Sequence, residues 1–385
     1  VAQPRRHSRI AVAGCSPATL FPPGSIRSKT ARDRTLPAGT IRSVVHPPAS
    51  RAARRPWPSR RAFLRRSGLG LGAVLLGCRA RPPQHPRRVL LVAGADSHGY
   101  GTHAHHAGCA LLADRLSAVD GVRATVRRDD WADDERALDG TDAVVFYGDG
   151  GADHPAASRA DLVDALARRG VGIGFLHYAL VPPDERWYPR MRAWIGGHYE
   201  PGWSVNPTWR ARFAALPDHP VTRGVRPFAI EDEWYYHMRF RPGLDGVVPL
   251  LTAVPPDATR QGPHGPHSGN PQVAAALGQA EHLAWVATRD GGGRGFGFTG
   301  GHDHWSWAHD DYRRLVLNAI LWLAQAEIPA GGCPSRRPTL AELLAPLGAP
   351  PAGFDRDALA RRIAAWSQAE GEAVGDGDRD QEERR

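Results

Sequence analysis

Four segments, far apart in the chain, place imidazoles, carboxylates and glycines directly after apolar runs. Residues 171–176 (VGIGFL) stop at His177 and Tyr178, and residues 89–93 (VLLVA) lead to Asp96, Ser97, His98, Gly99 and Tyr100. Residues 143–147 (AVVFY) lead to Gly148, Asp149, Gly150 and Gly151, and residues 295–299 (GFGFT) to Gly300, Gly301, His302, Asp303, His304 and Trp305. If the runs are parallel strands, the loops at their carboxyl ends meet at one sheet edge, where open α/β sheets bind ligands. A polar residue at a sharp strand-to-helix turn is the geometry that presents a nucleophile. Here the residue is His177, an imidazole suited to moving protons as base or acid.

The surrounding residues carry plainer readings as well. Asp149 between glycines either stabilises a turn or holds a substrate hydroxyl while backbone N–H groups approach an anionic oxygen. Thr102 is placed to cap a helix and to put His103, His105 and His106 in its first turn, where the positive helix end disfavours imidazolium. Their spacing matches no zinc signature, so no metal is assigned. His302 and Asp303 either cap the last helix or, at the rim of the last strand, transfer protons. Residues 231–237 (EDEWYYH) interleave carboxylates with aromatic rings. As a strand they put Glu231, Glu233 and Tyr235 on one face and Asp232, Trp234 and Tyr236 on the other. That is a solvated acidic edge, or else a sugar site: flat apolar faces for the ring and acceptors for its hydroxyls. Trp203 and Trp305 offer similar faces.

These residues need a sheet to bring them together. Strands are expected at 89–93, 122–126, 143–147, 171–176, 283–287 and 295–299. Helices are expected from 103 to about 119, over 161–169 and over 310–326. Alternation at this spacing predicts βαβ units and a parallel sheet covered on both faces, an α/β fold. Shorter inserted strands are expected at 209–213, 228–236, 247–254 and 273–276, with a surface loop over 255–271. Beyond Pro329, weak helices at 340–347 and 356–368 precede an acidic, disordered tail over 370–385.

The net charge of +9 is unevenly placed. The first 88 residues hold 18 Arg and one Lys against a single Asp, so the remainder is net acidic. A nucleic-acid partner, which needs a basic face on the folded part, is not expected. Residues 59–64 (SRRAFL) form a twin-arginine motif ahead of a short apolar stretch, far below the ~20 residues of a membrane span. Residues 75–78 (LLGC) read as a lipobox with Cys78 as the lipidated residue. Expected, then, are a disordered or mis-annotated leader (1–58), an export signal (59–78), a linker (79–87), a folded domain (88–328) and an extension (329–385). The product would be periplasmic or anchored to the membrane. Cys109 and Cys333, the cysteines that would remain free in the mature chain, form no metal or disulfide pattern.

In order, SHGYG (97–101), FLHYA (175–179), IGGHYE (195–200), DHPVTRGV (218–225), IEDEWYYH (230–237), GRGFGFTGGHDHW (293–305) and RRLVLNAILW (313–322) resemble the ThuA-like, or trehalose-utilisation, proteins. The resemblance implies a flavodoxin-like, class I glutamine amidotransferase-like sheet. In that wider fold the turn after the fourth strand carries a nucleophilic cysteine, and a His-x-Glu follows a late strand. Here those positions hold His177 and His302-x-His304, so glutamine hydrolysis through a thioester is excluded. The resemblance further implies carbohydrate metabolism beside a sugar dehydrogenase, acting on a 3-keto sugar or glycoside. Removing a proton next to the ketone would give isomerisation, or elimination and hydration, with no organic cofactor. On this reading His177, Glu233 and His302 are catalytic. His98, Asp149, Tyr178, Glu200, Trp203, Tyr235 and Trp305 bind the carbohydrate. Two other readings use the same cleft: a non-catalytic carbohydrate-binding lipoprotein, and a metal-dependent hydrolase built on residues 98–106 with Asp149 and His302.

Overall fold

The computed structural model describes residues 85–133 and 135–366. The leader, the twin-arginine segment, Cys78 and the acidic tail lie outside the described residues.

The strands and helices run in the order β1 (Arg87–Ala93), α1 (His105–Ser117), β2 (Val122–Arg127), β3 (Ala143–Tyr147), α2 (Ala160–Arg168), β4 (Gly172–Leu176) and α3 (Tyr188–Ile195). Short strands come next: β5 (Gly197–His198), β6 (Thr208–Phe213), β7 (Phe228–Glu233) and β8 (Arg239–Phe240). The chain then returns to the main sheet through β9 (Val247–Ala253), β10 (Glu281–Thr288) and β11 (Arg294–Phe298), before α4 (Asp310–Leu323) and α5 (Leu340–Leu344). The seven-stranded sheet has the order β2-β1-β3-β4-β11-β10-β9. β2, β1, β3, β4 and β11 run parallel, and β10 is antiparallel to both its neighbours. This is the doubly wound α/β class expected from the alternation of elements.

Successive residues of each central strand enter different cores because a strand points alternate side chains to opposite faces. Val89, Leu91, Ala93, Val145 and Tyr147 pack with α1 and α4, whereas Leu90, Val92, Val144, Phe146 and Phe175 pack with α2 and α3. On β4, glycine marks where α4 comes closest: a Cβ on Gly172 would lie 2.4 Å from the carbonyl oxygen of Leu323. Only a residue without a side chain lets helix and strand touch there.

Three local expectations are corrected. Residues 271–275 form a helix, Pro271–Ala275, rather than a strand, because Asn270 accepts the Val273 N–H at 2.9 Å and Pro271 sits at the first helical position. That start signal outweighs the short apolar pattern. A helical turn, Asp257–Arg260, interrupts the presumed surface loop, and Arg260 is wholly buried there. Thr102 does not cap α1: its hydroxyl donates to the Gly99 carbonyl at 2.8 Å, and Ala104 begins the helix without a side-chain cap.

Candidate active site

The positioning starts at β4. Its ladder ends at Leu176, and the next residue, His177, turns with φ +55° and is fully buried. A positive φ on a residue with a Cβ is strained and persists only where surrounding packing fixes it. His98 (φ +65°) and His103 (φ +44°) also turn at positive φ, so the loop after β1 and the loop after β4 both fold sharply around imidazoles.

The loop after β1 is docked on the loop after β11. His103 N–H donates to the His302 carbonyl at 3.0 Å, His304 N–H donates to the Gly101 carbonyl at 2.8 Å, and Thr102 and Asp303 form a bridge pair. Gly101 makes this approach possible: at φ +81°, a Cβ there would overlap the Trp305 ring. The Tyr147 hydroxyl at the end of β3 donates to the Gly301 carbonyl. Beneath lies Asp232, buried in β7. Its two oxygens accept the N–H groups of Gly301 (3.1 Å), His302 (3.1 Å) and Glu233 (2.9 Å) and the Tyr312 hydroxyl (2.6 Å). Asp232 therefore clamps the late loop while its neighbour Glu233 faces the other way, toward the imidazoles.

The side chains of His103, His177, Glu233 and His302 converge. Nε2 of His103 lies 3.0 Å from Nε2 of His177, and Oε2 of Glu233 lies 3.4 Å from the latter and 3.1 Å from Nδ1 of His302. The Tyr235 hydroxyl closes the floor 3.3 Å from Nε2 of His177. Each group is oriented from behind. His177 Nδ1–H donates to the Thr299 carbonyl at 3.0 Å, and His103 Nδ1–H to Asp149 at 2.8 Å. Asn206 donates to the other Glu233 oxygen at 3.2 Å. Above the group, the Ser97 hydroxyl donates to Asp149 at 2.9 Å and faces Nδ1 of His98 at 2.9 Å. With its hydrogen spent on Asp149, the hydroxyl accepts from His98 Nδ1–H, which leaves Nε2 of this exposed imidazole as a lone-pair site.

Burial and charge act against each other here. Burial lowers His103 to about 3, more than its bond to Asp149 raises it. Burial also lowers His105. The expected neutrality of these imidazoles therefore comes from desolvation, not from the helix end. For Glu233, burial would raise the carboxyl, but His177 and His302 outweigh it and hold the carboxyl below its ordinary range. His302 is raised, since the Glu233 carboxylate outweighs its own burial.

His177, Glu233 and His302, expected to be catalytic, are brought together, and His98, Asp149, Tyr178 and Tyr235 stand around them. The half-buried Tyr178 ring lies 5.7 Å from that of His103. One expected sugar-binding group is placed elsewhere. Trp305 is buried, packed against Tyr100 and Phe354 beneath Gly101. Tyr235 is buried too but stays in the cluster, its ring 4.7 Å from that of His177. Glu200 and Trp203 form a neighbouring group with Arg239, which pairs with Glu200 at 2.8 Å and lies 4.0 Å over the Trp203 ring. His304 is buried away from the cluster and held neutral by burial, lowered to about 4. A cleft of about 1090 Å³ lined by Arg87, Arg123, Trp131 and Asp142 lies at the amino-terminal edge of the sheet and holds none of these groups.

His103 and Asp232 were not among the catalytic or sugar-binding residues expected from the sequence. For Asp232 a signal was present: it falls on the stripe of Phe228 and Ile230, the buried face of β7. A carboxylate on an apolar stripe is one that buried donors require.

The fold and this convergence define a doubly wound α/β protein with an imidazole–carboxylate site at the carboxyl ends of its strands. The ThuA family profile, described as trehalose utilisation, matches residues 88–323, and the chain belongs to that family. Among solved structures it is similar to a protein described as ThuA-like from Bacteroides uniformis (16% identity, 64% of this chain and 95% of that one, TM-score 0.47). Another described as ThuA-like, from Parabacteroides merdae, is also similar (17%, 65% and 98%, TM-score 0.44). So is a glutamine amidotransferase from Thermotoga maritima (10%, 63% and 100%, TM-score 0.38). No curated protein matches.

Proposed function

We propose that this protein acts on an oxidised sugar or glycoside, moving a proton at the carbon next to its ketone. The observation that carries the reading is the pairing of an exposed, oriented imidazole, His98, with the buried His103–His177–Glu233–His302 group beneath it. A ketone acidifies its neighbouring C–H bonds, so the reaction needs one base and a site that receives negative charge on the ketone oxygen. His98 Nε2 is the base, its ring held by Ser97, whose hydroxyl is oriented by Asp149. On this reading His98 takes the proton and His177, fully buried beneath it, positions the cluster. A positioned base contributes ~10²–10⁴-fold, and groups that meet the oxyanion a comparable factor. The enediolate then reprotonates at the next carbon or expels the glycosidic oxygen. The ketone itself must come from a dehydrogenase that oxidises a sugar hydroxyl.

The test is incubation with 3-keto disaccharides in heavy water, monitored by NMR. Deuterium is expected at the carbon beside the ketone, with loss of exchange in His98→Ala. No exchange across several such sugars, despite binding, would replace this reading with a carbohydrate-binding role. Export belongs to the same proposal and rests on residues 59–78 alone: replacing Arg60 and Arg61 by lysine should retain the precursor in the cytoplasm. Mass spectrometry should find a diacylglyceryl group on Cys78.

A further inference from the structure

We infer that His103, His177, Glu233 and His302 bind one divalent first-row transition-metal ion. Their four ligand atoms all lie within 4.8 Å of one another. Three of the separations are 3.0, 3.1 and 3.4 Å. Ligands ~2.0–2.1 Å from a tetrahedral ion stand ~3.3 Å apart, and those of an octahedral ion somewhat closer.

The hydrogen bonds behind these atoms carry the argument further. His103 and His177 each spend their Nδ1–H on a fixed acceptor, the Asp149 carboxylate and the Thr299 carbonyl. Both Nε2 atoms are then lone-pair sites, and they face each other across 3.0 Å. Two lone pairs at that distance repel unless something positive lies between them. A shared proton would satisfy that pair alone. It would leave Nδ1 of His302, buried and 3.1 Å from Glu233, without the aligned hydrogen-bond partner it lacks. One cation satisfies all four atoms. An imidazole that donates its other N–H to a carboxylate or carbonyl is also the usual arrangement of a metal ligand. Glu233 is arranged alike, with Oε1 held by Asn206 and Oε2 turned inward.

Three imidazoles and a carboxylate suit zinc, manganese, iron, cobalt or nickel rather than calcium or magnesium. His302 is the most exposed of the four, its side chain 22% exposed against 11% for Glu233, so the open side of the ion lies toward His302, whose ring is 5.9 Å from that of His98. There the ion would receive a ketone oxygen and stabilise the enediolate. As a statement about the reaction this rests on the keto-sugar reading; as a statement about binding it rests on the donors alone.

The untagged full chain would be analysed for metal as purified by plasma mass spectrometry, then stripped with chelator and titrated with Co²⁺. We expect one ion per chain and a visible d–d absorption band saturating at one equivalent. His177→Ala and Glu233→Gln should weaken Co²⁺ binding about 100-fold or more, whereas His282→Ala should not. Glu233→Gln keeps the side-chain shape, and circular dichroism reports whether each variant folds. Failure of the folded wild type to take up Co²⁺ at millimolar concentration would overturn the inference, as would wild-type affinity in folded Glu233→Gln. Bound metal without deuterium exchange would sink the keto-sugar reading and leave the site standing. Exchange undiminished in the stripped protein would remove the ion from the chemistry.

Discussion

Asp232→Asn tests how the site is held. In the native protein one Asp232 oxygen accepts from Glu233 and His302 and the other from Gly301 and Tyr312. Asparagine keeps one of these oxygens and replaces the other with an NH₂. Placed to preserve the His302 and Glu233 bonds, the NH₂ faces the Tyr312 hydroxyl, which can rotate to accept, and the Gly301 N–H, which cannot. One charge-assisted bond is lost (~1.5–3 kcal/mol) and one buried donor is left opposed (~1–3 kcal/mol). The two costs overlap, so a loss of ~2–4 kcal/mol is expected, a large part of a domain's usual margin. The measurement is urea unfolding monitored by tryptophan fluorescence. Tyr312→Phe completes a double-mutant cycle, in which the two changes should be non-additive because they share one oxygen. If Asp232→Asn loses less than ~0.5 kcal/mol and adds independently to Tyr312→Phe, the clamp does not exist as described. A crystal structure of the variant should also show His302 displaced.

The packing makes three more outcomes measurable. Burial lowers His154 to about 4 against an ordinary 6.5, and its ring accepts from Ala156 and donates to the Ala179 carbonyl. The unfolded chain takes up this proton below pH 6.5 and the folded chain refuses it until about pH 4, so stability falls as pH drops through that window, by up to ~3 kcal/mol. His154→Gln should flatten that part of a pH series of melting curves, and an unchanged slope would refute the assignment. Gly101→Ala forces a Cβ into the buried Trp305 ring at positive φ and should cost over ~2 kcal/mol in thermal unfolding. Phe354 lies 5.0 Å from the Tyr100 ring and 5.8 Å from that of Trp305, tying the extension after α4 to the loop after β1. Phe354→Ala should lose ~1–2 kcal/mol and speed proteolysis beyond residue 330.

The framework was legible because its signals are local. Buried runs such as 89–93 and 143–147 can only be strands covered on both faces, and their alternation with helices leaves little choice but a parallel sheet. The elbow at His177 was legible for the same reason: an apolar run ended in a polar turn. The helix at 271–275 was misread because an Asn-Pro start outweighed a short apolar pattern.

The roles of individual side chains were decided elsewhere. Sequence alternation put Glu233 and Asp232 on opposite faces of one strand, but only the docking of the loop after β11 made one the clamp and the other a partner of imidazoles. Trp305 is buried because Gly101 crosses it, a contact between residues about two hundred positions apart. His103 entered the site because its loop pairs with His302. The chain by itself determined the sheet and the edge at which polar groups gather, since hydrophobic periodicity acts over neighbouring residues. Which of those groups touch was decided only by tertiary packing, because a contact of about 3 Å depends on where two distant loops come to rest.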